Sequence, residues 1–177
     1  MRKLLTILLI LVLCCSLVSC GGAPSENGIA FTAREFGCLR GIKYDALLFF
    51  DSREGLDSYY EEHLLQLQEE LDAYYEDFLT QYEDEFATFF QKYDDAYFEN
   101  QVLIGVLNST GPNVDRSVQS LKFRDGKYIL TIKSIINLDE DFVTELYPPY
   151  YFFIEPEAGH KITASNFEVE WIKETIE

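Results

Sequence analysis

Few side chains in this 177-residue chain can do covalent or metal chemistry: the cysteines Cys14, Cys15, Cys20 and Cys38, and the histidines His63 and His160. The sequence has no His-Glu-x-x-His pair for zinc, no Gly-x-Ser-x-Gly elbow, no glycine-rich phosphate loop and no Cys-x-x-Cys. Zinc and nucleophilic catalysis therefore lack their parts. Carboxylates are plentiful, at 31 Asp and Glu, and two of them suffice for glycoside hydrolysis. With so many acids, however, some pair is always at hand. Asn137-x-Asp139-x-Asp141 opens like a calcium-binding loop. Its sixth position is Phe142 instead of glycine and its twelfth is Pro148 instead of glutamate, so the loop cannot close. Asp139, Glu140 and Asp141 then read as a solvated turn, and His63, beside Leu64 in a helical stretch, as a surface or boundary residue. No catalytic, cofactor-binding or metal-ligating residue is expected.

The first twenty residues have the pattern of an export leader. Arg2 and Lys3 supply positive charge, and Leu4 to Leu13 is apolar but for Thr6. The stretch through Cys14, Cys15 and Leu17 to Ser19 is shorter than the roughly 20 residues a spanning helix needs. The ending Leu17-Val18-Ser19-Cys20-Gly21 resembles the lipobox of bacterial lipoproteins. That resemblance implies a signal peptide over 1–19, cleavage before Cys20, acylation of Cys20, and residence on the extracytoplasmic face of the cell membrane. Each buried methylene contributes about 0.8 kcal/mol, so two or three chains anchor stably. Residues 20–28 read as a polar tether reaching under roughly 30 Å, and 29–177 as one folded domain. Cys38 is then the cysteine left in that domain, so no disulfide forms within it. Beside Phe36 and Leu39 it reads as a small buried apolar residue.

The chain carries a net charge of -17, and without Arg2 and Lys3 the remainder stands at -19. Such a surface repels nucleic acid and anionic headgroups, so neither is an expected partner. At 15% aromatic, the chain has the residues to build a core despite its charge.

The elements that must position any site fall into three regions. Ile29 to Phe50 is mixed, with Ala46 to Phe50 reading as a buried strand. Asp51 and Ser52 offer an N-cap. Beyond them apolar residues recur every three or four positions at Leu56, Tyr60, Leu64, Leu67, Leu71, Tyr75, Phe78, Tyr82, Phe86, Phe89 and Tyr93. From Glu54 to Glu99 fifteen acids face Lys92 alone, a local charge of -14. A single helix over 54–98 would be about 68 Å long, against roughly 40 Å for a domain of this size. Two helices with a break between Asp72 and Asp84 are therefore expected. The third region is β: Val102 to Leu107 as an interior strand, and a hairpin of Val118 to Phe123 and Tyr128 to Ile136 across the Asp125-Gly126 turn. Tyr150 to Ile154 and Phe167 to Ile172 read as two further strands. The fold class is α+β: a small, mostly antiparallel sheet of about five or six strands with one long or two shorter acidic amphipathic helices.

Lys92-Tyr93-Asp94-Asp95-Ala96-Tyr97-Phe98-Glu99-Asn100 leads directly into Val102-Leu103-Ile104. With Ser117 to Leu121, Asp125-Gly126 and Tyr150 to Ile154 in order, this segment resembles the C-terminal domain family of PrcB protease-complex subunits and related lipoproteins. The resemblance covers about 93–155, mostly core and turn residues. The family's glycine-rich turn is replaced here by Gly111-Pro112-Asn113-Val114, so no binding role of that turn carries over. The resemblance implies a non-catalytic accessory or binding role toward an envelope protein, with a protease to stabilise or modulate as the implied partner. The alternatives are a carboxylate-based cell-wall glycan hydrolase and a structural helical interaction protein.

Cys20→Ala should leave the precursor unacylated and uncut at this position. Radiolabelled palmitate incorporation equal to that of the wild type would remove the basis for lipid anchoring.

Overall fold

A computed structural model describes residues 28–38, 45–70, 76–108, 114–137 and 149–176. In chain order these form β1 (Gly28–Ile29), β2 (Phe31–Gly37), β3 (Leu47–Phe50), α1 (Arg53–Glu70), α2 (Glu76–Phe90) and α3 (Asp95–Phe98). β4 (Leu103–Asn108), β5 (Val114–Arg124), β6 (Lys127–Asn137), β7 (Tyr150–Pro156) and β8 (Phe167–Ile176) follow. The fold is mixed α+β and mostly antiparallel, as the sequence implies. The strands form two four-stranded sheets, an inner one ordered β2-β7-β4-β3 and an outer one ordered β1-β5-β6-β8. This corrects the expectation of one sheet of five or six strands.

The cause lies in β4 and β7, whose residues are buried almost without interruption. A strand apolar on both faces must be covered on both. On one face Phe36, Leu48, Phe50, Leu103, Tyr151 and Phe153 pack against Leu56, Tyr82, Phe86 and Phe90 of the helices. On the other, Phe31, Ile104, Val106, Phe152 and Ile154 meet Leu121, Leu130, Ile132 and Phe167 of the outer sheet. Three layers result: helices, inner sheet, outer sheet. Each fully buried large apolar side chain contributes roughly 1.5–3 kcal/mol. β6 and β8 pair in parallel, which requires a crossover; β7, lying between them in sequence, belongs to the other sheet.

Local chemistry explains the element ends. Ser52 Oγ accepts from the Gly55 N–H at 3.2 Å, the N-cap expected for α1. Gly105 lies where a Cβ would stand 3.0 Å from Phe153 and 3.2 Å from Leu48, so its lack of a side chain admits the aromatics around it. Asp125 and Gly126 both have positive φ, 54° and 81°, as the type I′ turn of the β5–β6 hairpin demands.

The described helices flank residues 71–75, and the contacts pair Arg53 with Phe90, Tyr60 with Phe86 and His63 with Tyr82. They are therefore antiparallel neighbours, as the length argument requires; Leu71 and Tyr75 of the apolar seam lie outside the described residues. Arg53 joins their ends. Its Nη1 donates to the Phe90 and Tyr93 carbonyls at 3.3 and 3.2 Å, while Nε and Nη2 bind Asp57. α2 carries no basic residue in its last turn, so the guanidinium of α1 supplies the cation that its carbonyl end favours.

His63 is not at the surface: it is buried, 5% exposed. Its ring stacks on Tyr59 at 5.6 Å with 7° between planes, and its Nε2 lies 3.2 Å from the Tyr82 hydroxyl. The stripe read from the sequence is thus wider, because α1 touches both the sheet and α2.

Burial lowers the pKa of His63. The unfolded chain, titrating near about 6.5, then binds more protons than the folded one as the solution is acidified. The contribution of His63 is complete above that value and falls progressively below it. In urea melts from pH 8 to pH 5, the wild type should lose stability relative to His63→Phe, which keeps the stack on Tyr59. A stability difference constant across that window would show that His63 is not held neutral.

Candidate functional site

An open groove of about 680 Å³ lies between β2 and α2. Phe36 forms its floor. This ring lies 5.7, 5.5, 5.0 and 5.7 Å from Tyr82, Phe86, Phe89 and Phe90, mostly edge-on, and so ties the strand to the helix. Arg34, Glu35 and Gly37 form the strand wall, and Gln81, Asp84, Glu85, Thr88 and Lys92 the helix wall. The seam residues of α2 turn inward to the core, which leaves its acidic outer face along the groove.

One end is fixed by Glu155. Its Oε1 accepts from Lys92 Nζ at 2.6 Å and from the Tyr93 hydroxyl at 2.8 Å, and Arg34 Nε lies 3.4 Å away. The Glu155 side chain is 15% exposed, so these charge-assisted bonds are partly shielded from water and stronger than their surface equivalents. Burial, together with Glu155, raises the Tyr93 pKa; the phenol stays protonated and donates. Burial likewise raises Tyr97, whose hydroxyl donates to the Val102 carbonyl at 3.0 Å. Of the acids at the groove, Asp84 has no ion pair among the described residues, and Glu35, across from Phe152, turns to the outer-sheet side of β2. Glu85 accepts from Gln81 at 2.8 Å.

The other chemistry-bearing residues lie apart from the groove. Cys38 is 5% exposed in the helix-side core, and burial pushes its thiol up to about 12, which makes it unreactive. His63 sits between the helices, and His160 packs its ring 6.0 Å from Tyr128. Asp139 and Asp141 of the calcium-like stretch, and Cys20 with its leader, lie outside the described residues. No cluster of three metal-ligating side chains occurs among the described residues, and no described helix is long and apolar enough to cross a membrane.

A second polar cluster closes the sandwich at its far end. Arg116 donates to Asn108 Oδ1 at 2.7 Å and to Ser134 Oγ at 3.2 Å, and its guanidinium lies 4.5 Å over the Trp171 ring. Asn108 is fully buried.

The groove was not legible in the sequence because its walls lie about fifty residues apart and β2 itself was missed. Comparison with known protein families, with curated proteins and with solved structures returns no match for this chain.

Glu155→Gln should destabilise the fold by about 1–3 kcal/mol, because it strips a partly buried acceptor of its charge beside two cations. Urea unfolding is the measurement; an unchanged midpoint would mean that the network contributes nothing.

Proposed function

We propose that this chain is a lipid-anchored extracytoplasmic lipoprotein with a non-catalytic accessory role: it binds an envelope protein and stabilises or modulates it. The observation that carries the reading is the groove, a large open concavity whose two basic lining residues, Arg34 and Lys92, are held at one end by Glu155. A surface so arranged is suited to holding a partner. The lipobox-like residues Leu17 to Gly21 support the location, and the short tether would keep the domain near co-anchored partners, raising their effective concentration. The PrcB-like segment over 93–155 supports a protease as the partner. Its residues supply β4, β5, β6 and most of β7, the strands that build both sheets.

One arrangement favours a second reading. Asp84 and Glu85 both line the helix wall of the groove, and two carboxylates are what a glycan hydrolase needs.

The test separates the two. Reversible cross-linking in intact membranes should retrieve an envelope protein whose level or activity falls when the chain is deleted. The accessory reading fails if the purified chain hydrolyses peptidoglycan or peptide and if Asp84→Asn or Glu85→Gln abolishes that activity with the fold intact.

A further inference from the structure

We infer that the outer edge of β2 is a docking site for an extended, basic polypeptide segment of another protein, which adds to the inner sheet as a fifth strand and lays alternate side chains in the groove.

The backbone identifies the edge. Among the described residues β2 pairs with β7 on one side and with no strand on the other. Cys38 N–H donates to the Pro149 carbonyl and Glu157 N–H to the Ala30 carbonyl, both at 2.8 Å. These two bonds fix the even-numbered residues of this stretch as those facing β7. The N–H and C=O groups of Phe31, Ala33, Glu35 and Gly37 therefore point outward, and no described residue bonds to them. Such a row is a template for strand addition.

The other sheet edges are less suited. β3 is four residues long, and β8 carries Glu168, Glu170, Lys173 and Glu174 along its length, the charge pattern that discourages pairing. β5, covered by β1 at Leu121 and Lys122, is irregular between Val118 and Ser120, whereas β2 offers a regular seven-residue edge with an adjoining groove.

Charge selects the occupant. Glu35, Asp84, Glu85 and Glu155 stand against Arg34 and Lys92, and both cations are already shared by Glu155. The unspent charge in the groove is negative and lies on the helix wall, on Asp84 and Glu85, with Glu35 on the opposite face of β2. A strand opposite β2 would turn alternate side chains into the groove between Asp84, Glu85 and the Phe89 ring, where an opposite charge is favourable. Its neighbours on the other face would lie beside Phe31 and Ala33, which turn toward the outer sheet, where an apolar residue packs. Lysine or arginine alternating with an apolar residue satisfies both faces. A second copy of this chain does not fit, because edge-to-edge pairing would bring two such acidic walls together.

This inference rests on the accessory reading and names the chemistry of its partner. The test titrates the full chain, purified in neutral detergent, into a fluorescein-labelled capped peptide of alternating lysine and valine. The peptide of alternating glutamate and valine is the control. The basic probe should bind at least about tenfold more tightly, weaken with added salt, and slow amide exchange within 31–37. Ala33→Pro removes one outward N–H and no bond to β7; it should weaken binding about tenfold. Asp84→Lys with Glu85→Lys, both on the exposed helix face, should do so even if the proline variant does not fold. Equal binding of the two peptides, unchanged exchange over 31–37 at saturation, or full affinity in the Asp84→Lys, Glu85→Lys chain would overturn the proposal. The two readings fail separately. An envelope partner retrieved equally by wild type and by the charge-reversed chain sinks the edge and spares the accessory role. Edge binding of the peptide with no envelope partner in membranes does the reverse.

Discussion

Phe36 holds the structure at the point where its layers could come apart. The ring belongs to an edge strand, yet it is surrounded by Tyr82, Phe86, Phe89 and Phe90 of α2 and by Phe153 of β7. Edge-to-face pairs of this kind contribute about 0.5–1.5 kcal/mol each beyond their burial. Because β7 is apolar on both faces, what fixes its helix side also fixes its other side, where Phe152 and Ile154 meet the outer sheet. Helix packing, inner-sheet order and the seating of the outer sheet are thus linked through one strand.

The same constraint explains the character of the helices. Net charge over 54–99 is strongly negative, and like charges three or four apart disfavour a helix in isolation. Tertiary packing must therefore supply what the local sequence withholds. It does so through the aromatic face of α2 and through Arg53, a cation from one helix placed on the carbonyl end of the next. Acidic outer faces are then left free for the solvent and for the groove.

Much of this was legible in the residues. The Asp125-Gly126 turn, the Ser52 cap, the apolar runs of β3, β4 and β7, and the need for two helices follow from turn chemistry, capping and length. β2 did not, because it follows no single pattern: Phe31 and Ala33 bury toward the outer sheet, whereas Phe36 buries toward the helices. The split into two sheets was hidden for a related reason. Strand sequences report how many faces are apolar without saying which neighbour covers each. His63 was misplaced because a stripe drawn for one contact surface was too narrow for a helix that has two. The groove had no local signal, being made by an unrecognised strand and the polar face of a helix distant in sequence.

The chain passes from one sheet to the other at Ala30, between Ile29 in the outer sheet and Phe31 in the inner. A pull on residues N-terminal to Gly28 meets first the two pairs that join β1 to β5, and then the seven pairs of β2 with β7. The first grip is short and peels at low force. The second is longer and pinned by Phe36, so it yields at higher force. Mechanically, the domain therefore has a weak link in series with a strong one, and a tug on its leading end yields a little slack before it reaches the core.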